Sequence, residues 1–275
     1  MSAHTSEVHV VKLGGSLLGW SETPHRLAEL LSRASLTRPL LIVGGGRAAD
    51  SVRDWQQIHR FDEATAHDLA VDAMTLNSQL LAAVVPQATL VGNRDEAATA
   101  WQQHRWPILD CAAFLPREEP LQPLELPHTW AATSDAIAAW VTLAWPASRL
   151  VLLKSTGLSD LSDQIPASQL AAAGLIDHCL AGWLEELPTV DWVNLRAATL
   201  QPTRWHSRAD QPVPCPDPPR PPNRVAHLGR PQSGPPPDRA GPASLRAGPP
   251  TTPSRPGPTA APPPQSSRGP IRVDP

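Results

Sequence analysis

The chain has 275 residues, 34 of them proline, with 18% charged residues and a formal net charge of −3 at pH 7. Twenty-two of the prolines fall in residues 211–275, which hold eight arginines and three aspartates. A segment with one proline in three and few large apolar side chains cannot bury enough surface to offset the entropy of ordering. The composition excludes a collagen, a coiled coil and a disulfide scaffold. We therefore predict a folded domain over residues 1–207 and a disordered Pro/Arg-rich tail over residues 208–275.

Short apolar runs bounded by glycine, proline or charged residues predict buried strands. In chain order they cover residues 8–13, 39–43, 89–91, 107–109, 150–153 and 192–195. Between these runs, apolar residues three to four positions apart predict helices packed on a sheet. The stripes with this spacing are Leu27, Leu30 and Leu31, then Ala66, Leu69, Ala70, Ala73, Leu76 and Leu80, then Ile137, Trp140, Val141 and Ala144. The alternation predicts an α/β fold, a three-layer α/β/α sandwich with a mainly parallel central sheet.

The sequence also restricts where the protein works and what it binds. No basic-then-apolar leader follows the polar first residues, and the longest mostly apolar run, residues 136–147, is shorter than the roughly 20 residues that cross a bilayer. Cys111, Cys179 and Cys215 show neither metal-ligand nor disulfide spacing and suit a reducing compartment. A mildly acidic domain argues against nucleic acid as a partner. We predict a cytoplasmic protein with free thiols that binds neither membrane nor nucleic acid.

Two glycines follow the first predicted strand, in the string Lys12-Leu13-Gly14-Gly15-Ser16. Glycines at a strand's carboxyl end let the backbone turn tightly and bring N–H groups close to a ligand, as in phosphate sites of α/β sheets. The alternative is an ordinary turn from strand to helix.

A second glycine loop, Gly44-Gly45-Gly46, follows the second predicted strand. Its bare backbone and the positive end of the helix after it favour an anion. Two such loops after adjacent strands can hold two phosphate groups face to face. Gly44, Gly46 and Ala49 also match the dinucleotide fingerprint, so an NAD-dependent enzyme is an alternative. That alternative requires a second strand ending in an acidic residue about 20 positions on, whereas residues 62–81 have a helical pattern.

Lysine is used sparingly in this chain. It has 21 arginines but two lysines, Lys12 and Lys154, each at the carboxyl end of a predicted buried strand. A compact ammonium fits between two phosphates where a wide, flat guanidinium does not, and a charge at a buried strand end is expected to meet an anion. The string Thr133-Ser134-Asp135 predicts the start of a helix. Asp135 then either complements the helix dipole or holds both ammonium groups.

These residues resemble the amino-acid kinase superfamily, which contains acetylglutamate, aspartate, uridylate and isopentenyl phosphate kinases. The resemblance covers about residues 8–200 and rests on four strings in the family's order, at residues 11–16, 42–46, 133–135 and 152–156. A narrower likeness is to the small branch of aminomethyl-furanmethanol phosphate kinase. It rests on residues 44–53, 61–74, 126–135 and 193–196.

The resemblance implies a kinase that uses ATP and Mg²⁺ to phosphorylate a small-molecule phosphate or carboxylate, most simply a phosphate monoester that becomes a diphosphate. It implies that Lys12 contacts the transferred group, Asp135 organises the lysines and Lys154 neutralises charge from the nucleotide side. The nucleotide's phosphates would be bound by Gly14, Gly15, Ser16, Ser155 and Thr156. The acceptor would be bound by Gly44, Gly45, Gly46, Arg47, Asp50, Arg53, His67 and Ser134. We also expect a homo-oligomer and no dedicated metal-binding residues.

Several alternatives stay open. An arginine such as Arg47 or Arg53 is also typical of a solvated helix face, and His67 of a packed core; His128 is a further candidate for acceptor recognition. No acidic residue lies between Lys154 and Asp160, where the family carries an aspartate-rich loop, and the chain has no tyrosine. A non-catalytic anion-binding relative, or a uridylate or amino-acid kinase, is therefore an alternative function. In the tail, residues 219–224 match an SH3-ligand pattern that also arises by chance in proline-rich sequence.

Overall fold

The computed structural model describes residues 8–33, 36–158 and 165–208. These residues all belong to the first of the two units into which the chain divides, Met1–Cys215 and Pro216–Pro275. The predicted tail after residue 208, with its SH3-ligand pattern and Cys215, lies outside the described residues. The boundary at residue 207 stays a prediction.

A seven-stranded sheet forms the centre of the described region. Its strands are β1 (Val8–Leu13), β2 (Arg38–Val43), β3 (Ala88–Val91), β4 (Trp106–Leu109), β5 (Arg149–Lys154), β6 (Thr189–Asn194) and β7 (Thr203–Ser207). The order across the sheet is β3-β4-β2-β1-β5-β6-β7; β1 to β6 run parallel, and β7 pairs antiparallel with β6. The six predicted strands are confirmed. β7 was not predicted, because an edge strand with one half-exposed face lacks a continuous apolar run.

Helices cover both faces of this sheet. They are α1 (Thr23–Arg33), α2 (Gly46–His59), α3 (Glu63–Val84), α4 (Arg94–Gln102), α5 (Cys111–Glu118), α6 (Ser134–Ala144), α7 (Ala167–Ala172) and α8 (His178–Trp183). One face, which includes Val10, Ile42 and Leu152, packs against α4 to α8. The other face packs against α1 and the end of α3. The predicted α/β sandwich with a mainly parallel sheet is therefore confirmed.

The prediction of an apolar stripe along α3 was partly wrong. Leu76 and Leu80 are 58% and 47% exposed, whereas Met74 and Leu81 are buried. The helix has 22 residues, and the side that packs on the sheet includes two polar side chains, Asn77 and Ser78. The three-to-four spacing correctly identified the helix. In the second half of the helix, however, it assigned Leu76 and Leu80 to the buried side, and both are exposed.

The NAD-dependent alternative fails on topology. α2 ends at His59 and α3 begins at Glu63, so a helix stands where the dinucleotide fold places its second strand. Asp62 is the N-cap of α3, where its side chain accepts a hydrogen bond from Thr65 N. It is therefore not a ribose-binding acid at a strand end.

Two further expectations can be compared with the described residues. Among their helices, none combines the length and apolarity that spanning a membrane requires. Cys111 and Cys179 are free thiols, as predicted, and burial raises the pKa of Cys111 to about 12.

The two glycine loops touch each other where β1 and β2 end side by side. Gly44 N donates to Leu13 O at 2.9 Å, and a Cβ placed on Gly15 would lie 2.3 Å from Gly46 N. Gly46 also has a positive φ of 50°, which favours glycine. Only glycine fits at positions 15 and 46, so the packing of the two loops requires Gly15 and Gly46.

We predict that Gly15→Ala destabilises the protein by about 1–3 kcal/mol or more, because the added methyl group meets backbone atoms that cannot move aside. Gly19→Ala is the matched control, since an added Cβ there has no heavy atom within 4 Å. Urea denaturation of both variants measures the difference. Equal stability of the two variants would show that the loops can separate without loss.

Candidate active site

The two lysines lie on neighbouring strands and the same face of the sheet. Lys12 is near the end of β1, Lys154 ends β5, and these strands are paired in parallel with Lys12 opposite Leu152. Because side chains alternate between faces, Lys154 points to the same side as Leu152 and Lys12. That side is the one covered by α6.

Asp135, in the first turn of α6, bridges the two ammonium groups. Its Oδ1 lies 2.8 Å from Lys12 Nζ and its Oδ2 lies 2.7 Å from Lys154 Nζ. Thr133 caps the helix and its side chain accepts a hydrogen bond from Asp135 N. The predicted helix start is confirmed. Of the two interpretations of Asp135, the contacts favour the one in which it holds both lysines.

The cluster is removed from solvent. Lys12 and Asp135 are 4% and 5% exposed. Burial alone would raise the pKa of Asp135, but the charges of Lys12 and Lys154 and their hydrogen bonds outweigh it and hold the pKa below its usual value. Burial and the charge of Lys12 lower the pKa of Lys154 to about 8, against the opposing effect of Asp135. The Asp135 carboxylate is therefore ionised at neutral pH. Lys154 loses its proton at a pH just above neutral.

Lys154 has two further neighbours. Its Nζ donates to Leu175 O at 2.6 Å, in the turn between α7 and α8. The same nitrogen lies 5.4 Å from the centroid of the Trp192 ring on β6. These contacts leave its side chain 14% exposed and restrict the direction in which it can meet a ligand.

A cavity of about 170 Å³ lies beside the cluster, between α2, α3 and the start of α6. Six of the predicted acceptor residues line it: Gly45, Gly46, Asp50, Arg53, His67 and Ser134. Gly44 lies at its edge, where an added Cβ would be 2.8 Å from Ser134 Oγ. Arg47, in the first turn of α2, is exposed and is not among the lining residues. The opposite wall is apolar and includes Val71, Met74, Trp130 and Ile137.

Arg53 is held at the cavity by an aromatic ring. Its guanidinium lies 4.3 Å from the Trp130 ring centroid and pairs with Asp50 Oδ1 at 2.9 Å. Trp130 Nε1 in turn donates to Gln56 Oε1. The side chain of Arg53 is 45% exposed, so it stands at the rim with a fixed orientation.

His67 belongs both to the cavity wall and to the packed interior. It is 4% exposed and stacks on His128 with ring centroids 4.9 Å apart. Burial and the neighbouring His128 lower the pKa of His67, so the ring is neutral at pH 7. His128 lies 2.8 Å from Glu119 Oε2, outside the cavity. His128 thus contacts the predicted acceptor residue His67 but does not itself line the cavity.

The predicted nucleotide-phosphate residues surround the same strand ends. Gly14 N donates to Leu153 O, which ties the first loop to β5. Ser16 and Thr156 are exposed and Ser155 is half-buried, so their side chains are accessible at this edge. Residues 159–164, which include Asp160, lie outside the described residues.

Two residues that hold the site were missed from the sequence. Asn77, buried in the middle of α3, donates from Nδ2 to Gly44 O and Gly45 O, both at 2.7 Å. Asp177 accepts hydrogen bonds from Thr133 and Ala136 at the start of α6. Asn77 could have been found, because it is a polar residue within an apolar helical stripe. Asp177 had no such signal in the sequence, since it lies 41 to 44 residues from Thr133 and Ala136.

No protein-family model matches the sequence, and no curated protein matches it. Among solved structures, the chain is similar to a uridylate kinase from Archaeoglobus fulgidus, with 18% identity, 68% of this chain and 89% of that chain covered, and a TM-score of 0.46. It is also similar to UMP kinases from Ureaplasma parvum (13% identity, 70% and 91% covered, TM-score 0.46) and Bacillus anthracis (13%, 70% and 88%, 0.47). Likenesses at this level identify neither a family nor an activity.

We predict that Asp135→Asn lowers the free energy of unfolding by about 3–5 kcal/mol at pH 7, because it leaves two buried ammonium groups without their shared anion. Replacing Lys154 as well, in Asp135→Asn/Lys154→Met, removes one of those charges and restores part of the loss. Urea denaturation measures both variants. A loss below about 1 kcal/mol in the single variant would mean that the lysines are solvated and that the cluster is not a buried ion network.

Proposed function

We propose that the described domain is a small-molecule kinase that transfers the terminal phosphoryl group of ATP to an anionic acceptor, a phosphate monoester that becomes a diphosphate. The observation that carries this proposal is the cluster in which Asp135 holds Lys12 and Lys154 at adjacent strand ends. It lies beside two contacting glycine loops and a cavity. The sequence strings shared with the amino-acid kinase superfamily support the same activity.

The charge of the cluster suits phosphoryl transfer. Two ammonium groups and one carboxylate leave one net positive charge under α6, and the backbone N–H groups at the start of α2 have no side-chain cap. The obstacle in such a reaction is bringing two polyanions within about 3–3.5 Å. Fixed positive charges and N–H donors lower this barrier by cancelling charge in a loose, in-line transition state.

No general base is needed, and the cluster does not supply one. The attacking oxygen of a phosphate is already anionic. Asp135 is engaged by both lysines through its two oxygens, and its pKa lies below the usual value, so it does not take up a proton near neutral pH. Its role is to fix the positions of the two ammonium groups.

The donor side follows from the same geometry. Gly14, Gly15 and Ser16 follow β1, and Ser155 and Thr156 follow Lys154. Because Gly14 N already donates to Leu153 O, the donors proposed to face phosphates over β1 and β5 are those of the other four residues. In the described residues, no group of three or more His, Cys, Asp or Glu side chains is arranged to hold a metal. Under this proposal Mg²⁺ arrives with the nucleotide, whose phosphates it would bind and whose charge it would neutralise.

The cavity favours a compact acceptor. Its volume of about 170 Å³ lies below the roughly 300–1,000 Å³ of typical ligand pockets. Ser134, Gly45 and Gly46 would receive the anionic end of the acceptor, and Arg53 stands at the rim. The apolar wall formed by Val71, Met74 and Ile137 suits a small unsaturated or apolar body better than a nucleotide's ribose and base.

Two wider predictions remain part of this proposal. Cys111 and Cys179 are free thiols in the described region, which supports a reducing, cytoplasmic compartment.

A homo-oligomer is the expected assembly. Leu76, Leu80 and Val84 form an exposed line along α3 at positions four apart, so light scattering of a Leu80→Glu variant is the direct way to examine that expectation.

We predict that Lys12→Ala lowers kcat at least 100-fold with Mg-ATP and the preferred acceptor, while the Kd for Mg-ATP changes far less, because the ammonium acts on charge that develops in the transition state. Arg117→Ala, which removes an exposed positive charge on α5, is the matched control. A panel of aminomethyl-furanmethanol phosphate, isopentenyl phosphate, uridylate and acetylglutamate identifies the acceptor.

Two results would contradict the kinase. One is turnover of Lys12→Ala near the wild-type rate. The other is the absence of calorimetric heat with millimolar Mg-ATP, which would leave the domain as a non-catalytic anion-binding protein or one with another donor.

We also predict that kcat/KM falls as the pH rises through about 8, because Lys154 of the free enzyme loses its proton there and with it the charge that the reaction uses. In Lys154→Arg the guanidinium stays protonated, so the decline moves to much higher pH even though the maximal rate is lower. A pH–rate profile of both proteins measures this. Persistence of the decline near pH 8 in Lys154→Arg would assign it to another group.

A further inference from the structure

Asp177 is a buried carboxylate outside the Lys12–Asp135–Lys154 cluster. It is 8% exposed and accepts four hydrogen bonds. Its Oδ1 accepts from Leu180 N at 2.7 Å, which makes it the N-cap of α8. Its Oδ2 accepts from Thr133 N at 2.9 Å, Thr133 Oγ1 at 2.7 Å and Ala136 N at 2.8 Å. One carboxylate therefore joins the start of α8 to the start of α6.

The turn that carries Asp177 also holds Lys154. α7 ends at Ala172, and Gly174 follows with a φ of 68°, a conformation that favours glycine. Leu175 N donates to Leu170 O at 2.9 Å, which closes the end of the helix. Leu175 O then accepts from Lys154 Nζ at 2.6 Å. Residues 174–177 thus contact both the lysine on β5 and the helix that carries Asp135.

We propose that Asp177 is a positioning residue: it sets the place of Ser134 and Asp135 at the start of α6 and, with Leu175 two residues before it, fixes the Lys154 ammonium against Asp135. The proposal rests on the kinase function proposed above, since it assigns Asp177 a part in that site. Asp177 does not itself line the cavity, and it is joined to the cavity wall by the hydrogen bond from the Thr133 side chain.

Ordinary helix capping does not account for these contacts. Asp62 caps α3 by accepting from Thr65 N, and Asp110 caps α5 by accepting from Ala113 N and takes one further bond, from Thr75 Oγ1 on α3. Asp177 caps α8 with one oxygen and gives the other to three donors at the start of a different helix. Those three donors lie next to Ser134 and Asp135 in the chain, so a displacement of Asp177 moves the site itself.

The charge of Asp177 also reaches Lys154. The groups that act on this ammonium are Lys12 on β1, Asp135 on α6 and Asp177 before α8, with the uncharged Trp192 ring on β6. Burial and Lys12 lower the pKa of Lys154, whereas Asp135 and Asp177 raise it. Removing the Asp177 charge should therefore lower this pKa further below about 8.

The chain offers a direct measurement because Lys12 and Lys154 are its two lysines. Protein labelled with ¹³Cε-lysine gives two side-chain signals, and Lys154→Arg assigns them. In Asp177→Asn, we expect the Lys154 titration midpoint to fall below its wild-type value. We also expect kcat to fall about tenfold to 100-fold with a smaller change in KM, since a misplacement of about 1 Å can reduce the rate 100-fold. The alkaline decline of the rate should move to lower pH with the lysine midpoint.

Asp110→Asn is the matched control, because it weakens the cap of α5 and the bond from Thr75, and the strand before it, β4, is separated from β1 by β2. It should lose stability without moving either lysine signal. If Asp177→Asn does not fold, Thr133→Val and Thr133→Ser serve instead: valine removes the hydroxyl that donates to Asp177, serine keeps it, and only the serine variant should retain kcat within a few fold of the wild type.

The outcomes separate this proposal from the kinase function. The lysine titration needs no turnover, so a lowered Lys154 midpoint in a protein without kinase activity supports the positioning role and contradicts the function. An unchanged midpoint together with unchanged kcat in folded Asp177→Asn overturns the positioning role while the kinase stands. Equal kcat in the two Thr133 variants overturns it as well.

Discussion

One buried carboxylate shared between two ammonium groups is the interaction on which the rest of this site depends. Lys12 and Lys154 stand on neighbouring strands, where two like charges removed from water repel each other. Asp135 reduces that repulsion, and its two oxygens hold each nitrogen in a fixed place. The three groups together carry one net positive charge, which under the proposed function an anionic ligand would meet.

The sheet explains why this cluster forms where it does. β1 is central, between β2 and β5, so its carboxyl end meets the glycine loop after β2 on one side and Lys154 on the other. Gly15 and Gly46 are in close contact, which brings the two loops together. Asn77 donates hydrogen bonds to the backbone of the second loop and so fixes its position. The cavity proposed to bind the acceptor then opens between that loop and the start of α6, beside the cluster.

The sequence contained most of the fold and the centre of the site. Apolar runs located the parallel strands, because a strand buried on both faces has an almost unbroken run of apolar residues. The rarity of lysine singled out Lys12 and Lys154. What it lacked were contacts across long stretches of chain. Asp177 reaches α6 over more than 40 residues, and β7, at the edge, has no apolar run. Leu80 fitted the helical spacing yet faces outward, because periodicity does not specify which side of a helix is covered.

A crystal structure with a non-hydrolysable ATP analogue, Mg²⁺ and a phosphate acceptor tests the central claim most directly. We predict that Lys12 Nζ and Lys154 Nζ both lie within about 2.7–2.9 Å of phosphate oxygens of the same ligand, while Asp135 still contacts both nitrogens. A nucleotide bound away from the ends of β1 and β5, with one or both ammonium groups contacting Asp135 alone, would contradict it.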